Sequence, residues 1–160
     1  MGDEVTWDDY IQSQMVDYGG VSQACILSCE DGVTWASTEG FQPTVHIAEV
    51  NQEDGSTSQQ EINEAALLVK FVASGRKPSE GFWINGVKYM VLRTIQNESP
   101  RLPGETIFVV YGKKPAGGIC MAKSKSTIVI GTFDEGRGQS AGLCNQIVIR
   151  IATWLAVNQF

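Results

Sequence analysis

The stretch FWINGVKYMVLRT, residues 82–94, indicates most clearly which kind of fold this chain forms. Two apolar runs, 82–84 and 87–94, are separated only by Asn85 and Gly86. Asn-Gly between apolar runs is among the strongest signals for a two-residue β-hairpin, because both residues tolerate the positive φ of the tight turn. The stretch therefore predicts two adjacent antiparallel strands.

Further strand and helix patterns follow outward from this hairpin in both directions. Short apolar runs bounded by turn residues predict strands, and apolar residues at helical spacing predict helices. We therefore expect an α/β (α+β) fold with a central antiparallel sheet and helices on its faces, formed by one domain over residues 1–160. The other expected strands are 21–29, 32–36, 106–111, 119–122 and 127–133, and the expected helices are 7–18, 62–73 and one that begins near Ser140.

A polar segment interrupts this pattern before the second helix. Two strand-like runs, 44–50 and 58–62, flank an acidic tip at 53–55. Asp and Gly at such a tip favour a turn. The segment predicts an inserted hairpin arm over about residues 44–60, and a mobile acidic loop is the alternative.

The charge balance excludes several classes of partner. The chain has 12 Lys and Arg residues against 18 Asp and Glu residues, a formal net charge of −6. General binding to nucleic acid or to anionic membranes requires a basic excess, so we expect no nucleic-acid partner. No apolar run approaches the ~20 residues that span a bilayer, and the first residues are acidic rather than a basic, apolar leader. Nothing in the sequence signals export.

The cysteines do not indicate a metal site. Cys25, Cys29, Cys120 and Cys144 contain no Cys-x-x-Cys pair, and the only histidine, His46, lies far from them in sequence. A zinc site would need an unusual arrangement, so we expect no metal and no cofactor. We interpret the thiols as small buried apolar residues in a reducing cytosol rather than as a disulfide framework.

Catalytic motifs are lacking as well. The chain has no phosphate-binding glycine loop with its Lys, and no Gly-x-Gly-x-x-Gly after a strand. A Ser-His-Asp or Cys-His arrangement would depend on His46 alone. We expect a protein that is not an enzyme. An enzyme that uses Cys120 or Cys144 is the alternative, and a depressed thiol pKa would support it.

Aromatic residues are concentrated at the two ends of the chain. Trp7 and Tyr10 lie in the first helical segment, and Trp154 and Phe160 lie in the last. If the two ends are adjacent, these rings form one exposed groove of the kind that binds proline-rich peptides. The alternative is that the rings only pack the terminal helices onto the sheet.

Five fragments in order along the chain resemble one known family. They are TWDDYI (6–11), DGVTWA (31–36), VKYMVLR (87–93), GKKPAGGI (112–119) and SAGLCN (140–145), the last leading to Trp154 and Leu155. Together they resemble profilins over nearly the whole chain. The insertion at 44–60 is similar to the hairpin arm of protist profilins.

The resemblance implies N- and C-terminal helices packed together on one face of the sheet, and a two-site adaptor. One site takes proline-rich segments of proteins such as formins, and the other takes monomeric actin for delivery to filament ends. The family's proline-site positions correspond to Trp7, Tyr10, Trp35, Trp154, Leu155 and Phe160. The family's actin-face positions correspond to Lys88, Val91, Arg93, Lys113, Lys114, Gly142 and Asn145.

The resemblance also implies a cytoplasmic, cytoskeletal monomer with weak phosphoinositide binding. The basic residues available for phosphoinositide binding are Lys113, Lys114, Lys123, Lys125, Arg137 and Arg150. A small-molecule-binding sensor module of similar architecture is the alternative, because one fold can host many functions. Aromatic rings facing inward around a cavity would favour the sensor, and rings facing outward in one groove would favour the adaptor.

Overall fold

The computed structural model describes residues 6–78, 80–98 and 106–160. Seven of its strands form one sheet in the order β2-β1-β9-β8-β7-β6-β5, and every neighbouring pair for which a register is assigned is antiparallel. This confirms the predicted fold class. The strands are β1 (Ala24–Ser28), β2 (Thr34–Ser37), β3 (Val45–Asn51), β4 (Thr57–Asn63), β5 (Phe82–Ile84), β6 (Val87–Glu98), β7 (Thr106–Lys114), β8 (Gly117–Lys123) and β9 (Thr127–Asp134), and the helices are α1 (Trp7–Ile11), α2 (Glu64–Ser74) and α3 (Ala141–Val157).

Both predicted hairpins are present. Asn85 and Gly86 connect β5 to β6 with φ of 52° and 78°, as a two-residue turn requires. The insertion folds as a hairpin arm, in which β3 and β4 pair as a separate two-stranded sheet. Val45 lies opposite Asn63 at one end of this sheet, and Asn51 lies opposite Thr57 at the other. The pairing of β3 with β4 therefore favours the arm over the alternative of a mobile loop.

The large sheet is buried on both faces because its side chains alternate between two cores. On β7, Ile107 and Val109 belong to the core under α1 and α3, whereas Val110 belongs to the core under α2. This alternation follows from the two-residue period of a strand. The N- and C-terminal helices thus share one face of the sheet, as the resemblance implies, and α2 covers the other. No helix in the described part of the chain is long and apolar enough to cross a membrane.

The first helix is shorter and less regular than the sequence predicts. A capping box between Thr6 and Asp9 starts α1, and a π-helical turn, Gln12–Val16, continues it. The segment ends before Gly20, whose φ is 99°. A Cβ at Gly20 would lie 2.6 Å from Cγ of Leu143, so this residue permits the close approach of α3.

The buried stripe of α2 differs from the predicted one. The sequence pattern predicts one apolar stripe made of Ile62, Ala65, Ala66, Val69 and Val72 or Ala73. Of these only Val72 is buried by the helix, whereas Ile62 belongs to β4 and the others are half-buried or exposed. The apolar residues that α2 buries are Leu68, Phe71 and Val72. Several apolar residues in a row fit more than one helical face, so only packing against the sheet selects the buried one.

Two β-bulges turn an extra side chain toward the terminal helices. The pairing of β1 with β2 shifts at Trp35, and the pairing of β6 with β7 shifts at Leu92. A bulge places two consecutive residues opposite one partner and re-aims their side chains. Trp35 and Leu92 therefore reach the surfaces that α1 and α3 border.

Candidate functional site

Five aromatic side chains form one continuous cluster where the two ends of the chain meet. The ring centroid of Trp7 lies 5.7 Å from that of Tyr10, 6.5 Å from that of Trp154 and 5.9 Å from that of Phe160. The ring of Trp35 lies 6.4 Å from that of Phe160. We call these five residues the aromatic groove. All five were expected as site residues, Trp35 through the family resemblance alone.

The rings of the groove face outward. Trp7, Trp35, Trp154 and Phe160 are each 36–41% exposed, and Tyr10 is half-buried. Large aromatic side chains at a contact distance from one another and open to solvent are typical of a peptide-binding surface. The rings do not surround an internal cavity, so their placement does not favour the sensor module.

Leu155 lies outside the groove, which corrects its expected role. Its side chain is 1% exposed and packs in the core between α3 and the sheet. The helical period separates it from Trp154 by about 100° around the axis of α3, which turns one residue outward and the next inward. Leu155 therefore anchors the helix that carries Trp154 and adds almost nothing to the exposed surface of the groove.

Hydrogen bonds from other elements hold the ring-bearing segments in place. The backbone N–H of Ser37 donates to Oδ1 of Asp8 at 2.9 Å, which links α1 to the strand of Trp35. Ile11, fully buried, fixes α1 on the sheet. Burial raises the pKa of the Tyr10 hydroxyl, and the nearby charge of Arg150 acts in the opposite direction. The phenol of Tyr10 is therefore protonated at neutral pH and can donate a hydrogen bond.

The turn between β8 and β9 holds Phe160. The backbone N–H of Ser126 and the hydroxyl of Ser124 both donate to the carbonyl of Phe160 at 2.9 Å. The ammonium of Lys125 donates to the side-chain carbonyl of Gln159 at 3.0 Å. Sequence reasoning missed these positioning residues, because they lie more than 30 residues from Phe160 and belong to no motif.

We predict that Ser124→Ala weakens binding of a proline-rich peptide about two- to tenfold, because the lost hydrogen bond is worth about 0.5–1.5 kcal/mol. Calorimetric titration with polyproline measures the change. Ser126→Ala is the matched control, because Ser126 holds Phe160 through its backbone N–H and the substitution keeps that bond. Equal affinities of Ser124→Ala and the wild type would show that the ring of Phe160 needs no such support.

A second concave surface lies between β6, β7 and the start of α3. It encloses about 740 Å³. The guanidinium of Arg93 stacks 4.7 Å from the ring centroid of Tyr111, which packs against the core beneath α3. We call this surface the sheet–helix face. Its principal residues are Leu92, Arg93, Tyr111, Lys113, Lys114 and Asn145.

The structure brings together most of the residues expected on this face. Arg93, Lys113, Lys114 and Asn145 all line it. Gly142 is exposed in the first turn of α3, with no atom within 4 Å of where its Cβ would be, so the helix surface is open there. Sequence reasoning missed Leu92, which is 56% exposed and reaches the face only through its bulge.

Two expected residues lie elsewhere. Val91 packs against the core under α2, on the opposite side of the sheet, because the bulge after it puts Arg93 on the other face. Lys88 lies 5.3 Å over the ring of Trp83 and 3.8 Å from a carboxylate oxygen of Glu80, and it does not line the sheet–helix face. Neither Val91 nor Lys88 therefore lines the sheet–helix face, and their contacts with actin stay predictions.

The two surfaces occupy different parts of α3. Asn145 and Trp154 are nine residues apart, which is about 14 Å along a helix and about half a turn around it. The sheet–helix face thus uses the beginning of α3, and the aromatic groove uses its end. The residues named for the two surfaces do not overlap.

The three buried thiols, those of Cys25, Cys120 and Cys144, lack the properties of catalytic nucleophiles. Burial raises the pKa of Cys25 and of Cys120, and raises that of Cys144 to about 12. A reactive thiol needs the opposite shift and access to solvent. Among the described residues, no three His, Cys, Asp or Glu side chains are grouped to hold a metal ion.

The family model, the curated relative and the solved structures that match this chain all belong to one family. The family model described as Profilin matches residues 5–160. Profilin-2 of Acanthamoeba castellanii is 27% identical over 151 residues, which cover 94% of this chain and 96% of that protein. The structure of A. castellanii profilin IA superposes with a TM-score of 0.68 at 26% identity, covering 97% of this chain and all of that one. Mouse profilin IIa, solved in complex with a double repeat from the FH1 domain of mDia1, shares the fold with a TM-score of 0.58 at 19% identity, covering 96% of this chain and 99% of that one.

Proposed function

This chain belongs to the profilin family of actin-binding cytoskeletal regulators, and from that premise we propose that it also binds proline-rich segments and delivers actin to filament ends. The single observation that carries the proposal is the outward-facing aromatic groove at the meeting point of the two chain ends.

The chemistry of the groove suits a polyproline II helix. Such a helix is rigid before binding, so little conformational entropy is lost when it docks. Its flat prolines stack on aromatic rings, and its free carbonyls accept hydrogen bonds from indole N–H groups and from the phenol of Tyr10. Phe160 lacks a hydroxyl and contributes stacking alone. The mouse relative solved with an FH1 repeat supports formins as the source of such segments.

The sheet–helix face supports the actin site. It combines charged groups that steer association, Arg93, Lys113 and Lys114, with exposed apolar surface at Leu92. Open helix surface at Gly142 permits close approach of a partner. We expect the complex with monomeric actin to bury roughly 1,600–2,000 Å² in total.

Delivery follows from simultaneous occupancy of the two surfaces. A proline-rich tract in the aromatic groove would hold the protein at a growing filament end, and the actin on the sheet–helix face would then be transferred to that end. No covalent chemistry is needed. The protein would act as a cytoplasmic monomer associated with the cytoskeleton.

Phosphoinositide binding is proposed to be weak. Lys113 and Lys114 lie on the sheet–helix face, whereas Lys125 binds Gln159 and Arg150 donates to the backbone carbonyl of Gln14. The cations are therefore dispersed, and each contributes only about 1 kcal/mol near an anionic surface. The net charge of −6 opposes them.

Titration with polyproline in the absence and presence of saturating monomeric actin tests the two-site proposal. Tryptophan fluorescence reports the binding, because three of the four tryptophans lie in the aromatic groove. We expect the dissociation constant for polyproline to change by less than about twofold, since the surfaces lie about half a turn apart on α3. Competition between the two ligands, or no binding of either one, would contradict the proposal.

Arg93→Glu is predicted to weaken actin binding at least about tenfold, because a reversed charge at the steering cluster repels the partner. Affinity for polyproline is expected to stay unchanged. Sedimentation or calorimetry with monomeric actin measures the effect. Arg76→Glu is the matched control, since it changes the net charge equally on the α2 side of the molecule. Equal losses in both variants would mean that only the overall charge matters.

A further inference from the structure

A third concave surface lies on the sheet face that α2 covers, where this helix ends. It encloses about 580 Å³ between the last turns of α2, the segment after it and the start of β5. Phe71 and Phe82 supply its apolar floor, and the side chain of Leu67 is 41% exposed beside them. Exposed apolar surface in a concave site favours a binding role. We call this surface the basic groove, because Lys70, Arg76 and Lys77 line it.

Among the described residues that line the groove, every charged one is a cation. Lys70, Arg76 and Lys77 line it, and no Asp or Glu does. Within the described ranges none of the three forms a salt bridge, and Glu80 is paired with Lys88 instead. In a chain with 12 basic and 18 acidic residues, three cations around one apolar groove, with no acidic side chain among its described lining residues, are a local reversal of charge.

We propose that the basic groove binds a short acidic peptide segment of a partner protein that inserts one or two bulky apolar side chains. The volume lies within the ~300–1,000 Å³ of typical ligand sites, and the floor of Phe71, Phe82 and Leu67 fits apolar anchors. Carboxylates on either side of the anchors complement Lys70, Arg76 and Lys77, which gives both steering and specificity.

A membrane is the less suitable partner for this surface. The acidic remainder of the protein, with a net charge of −6, would be repelled by anionic lipids. Three cations supply only about 3 kcal/mol at such a surface. A short peptide instead contacts the groove alone, and its apolar anchors reach a concave floor that a flat bilayer does not fill.

The basic groove is independent of the two surfaces described above. Its floor belongs to the core under α2, whereas the aromatic groove and the sheet–helix face belong to the terminal-helix side of the sheet. The acidic peptide can therefore bind while actin and a proline-rich segment are in place. Failure of this inference would leave the proposed function untouched.

Fluorescence anisotropy with a defined probe tests the inference on the full chain. The probe is a fluorescein-labelled peptide in which a Leu-Phe pair is flanked on each side by three Asp or Glu residues. We expect saturable binding in the micromolar range at low salt. Raising the ionic strength from about 0.05 M to about 0.5 M should weaken it several-fold, because the rim charges are solvent-exposed. A probe with Ser-Ser in place of Leu-Phe should bind at least about tenfold more weakly.

Charge-reversal variants locate the site. Lys70→Glu combined with Lys77→Glu is expected to weaken binding at least about tenfold, whereas Lys113→Glu combined with Arg137→Glu, with the same net charge, should leave it unchanged. Leu67→Ser removes the exposed apolar contact and should also weaken binding. These side chains are all exposed, and thermal unfolding checks that the variants remain folded. Equal loss in both double variants, no binding at millimolar probe, or capture by phosphatidylserine vesicles without peptide binding would overturn the inference.

Discussion

Replacement of Trp7 by Ala will remove binding of proline-rich peptides while the protein stays folded and keeps its affinity for actin. Trp7 is the central ring of the aromatic groove, in contact with Tyr10, Trp154 and Phe160. Truncation of a central aromatic residue costs about 2–4 kcal/mol in binding, which corresponds to a loss of at least about 30-fold. The 38% exposure of Trp7 indicates that the fold depends on it only moderately.

Tryptophan fluorescence during titration with a proline octamer measures this effect. Trp35 and Trp154 remain in the groove as reporters. Trp83 lies on β5, beside His46, at the opposite edge of the sheet from the strand of Trp35. Tyr18→Ala is the matched control, because Tyr18 is an exposed aromatic residue outside the groove, stacked on Arg150. Loss of actin binding to the same extent in Trp7→Ala would mean that Trp7 is a structural residue.

The largest expected effect on stability concerns a single buried carboxylate. Glu64 is fully buried at the start of α2. Its Oε1 accepts the backbone N–H groups of Thr44 and Asn85, each at 2.7 Å, and its Oε2 accepts that of Gly86 at 2.8 Å. The same Oε2 lies 2.8 Å from Nε2 of His46. One side chain therefore joins the arm, α2 and the turn between β5 and β6.

Glu64→Ala is predicted to lower the free energy of unfolding by about 3–5 kcal/mol, because it leaves several buried donors without an acceptor. Urea denaturation measures the loss. Glu64→Gln retains the shape and one acceptor oxygen, so its loss should be smaller. Amide hydrogen exchange in β3 and β4 should become faster in both variants, since Glu64 holds the base of the arm.

Glu61→Ala is the control for this prediction. Glu61 lies three residues away on the exposed arm, paired with Ile47, and its removal should change the stability by less than about 0.5 kcal/mol. A similar small loss for Glu64→Ala would show that water or backbone rearrangement satisfies the donors around it.

Short-range patterns in the sequence were sufficient for most of the secondary structure. Asn85-Gly86 predicted its hairpin because a two-residue turn restricts which residues fit it. Ser140 marked the start of α3, and its hydroxyl accepts the backbone N–H of Leu143 at 3.4 Å. The period of apolar residues was less informative for α2, where several faces of the helix were equally apolar and Val72 was the only residue of the predicted stripe that the helix buries.

The candidate site residues were identified in part. The resemblance to profilins named all five rings of the aromatic groove, and the structure brings them together. It also named Leu155, which the rotation of α3 turns into the core. In the sheet–helix face it named Val91 beside Arg93, as the ordinary alternation of a strand would allow. The bulge between them reverses that assignment and brings Leu92 onto the face instead.

The sequence by itself determined what depends on neighbouring residues: the turns, the helix start, the antiparallel order of the later strands and the accumulation of aromatic residues at the two ends. The tertiary structure alone decided what depends on distant partners. The bulges at Trp35 and Leu92, the support of Phe160 by the turn around Ser124 and the burial of Glu64 among three backbone donors belong to this second class. Local conformational preferences act over a few residues, whereas strand register and hydrogen-bond pairing across the fold are set only when the whole chain packs around its two cores.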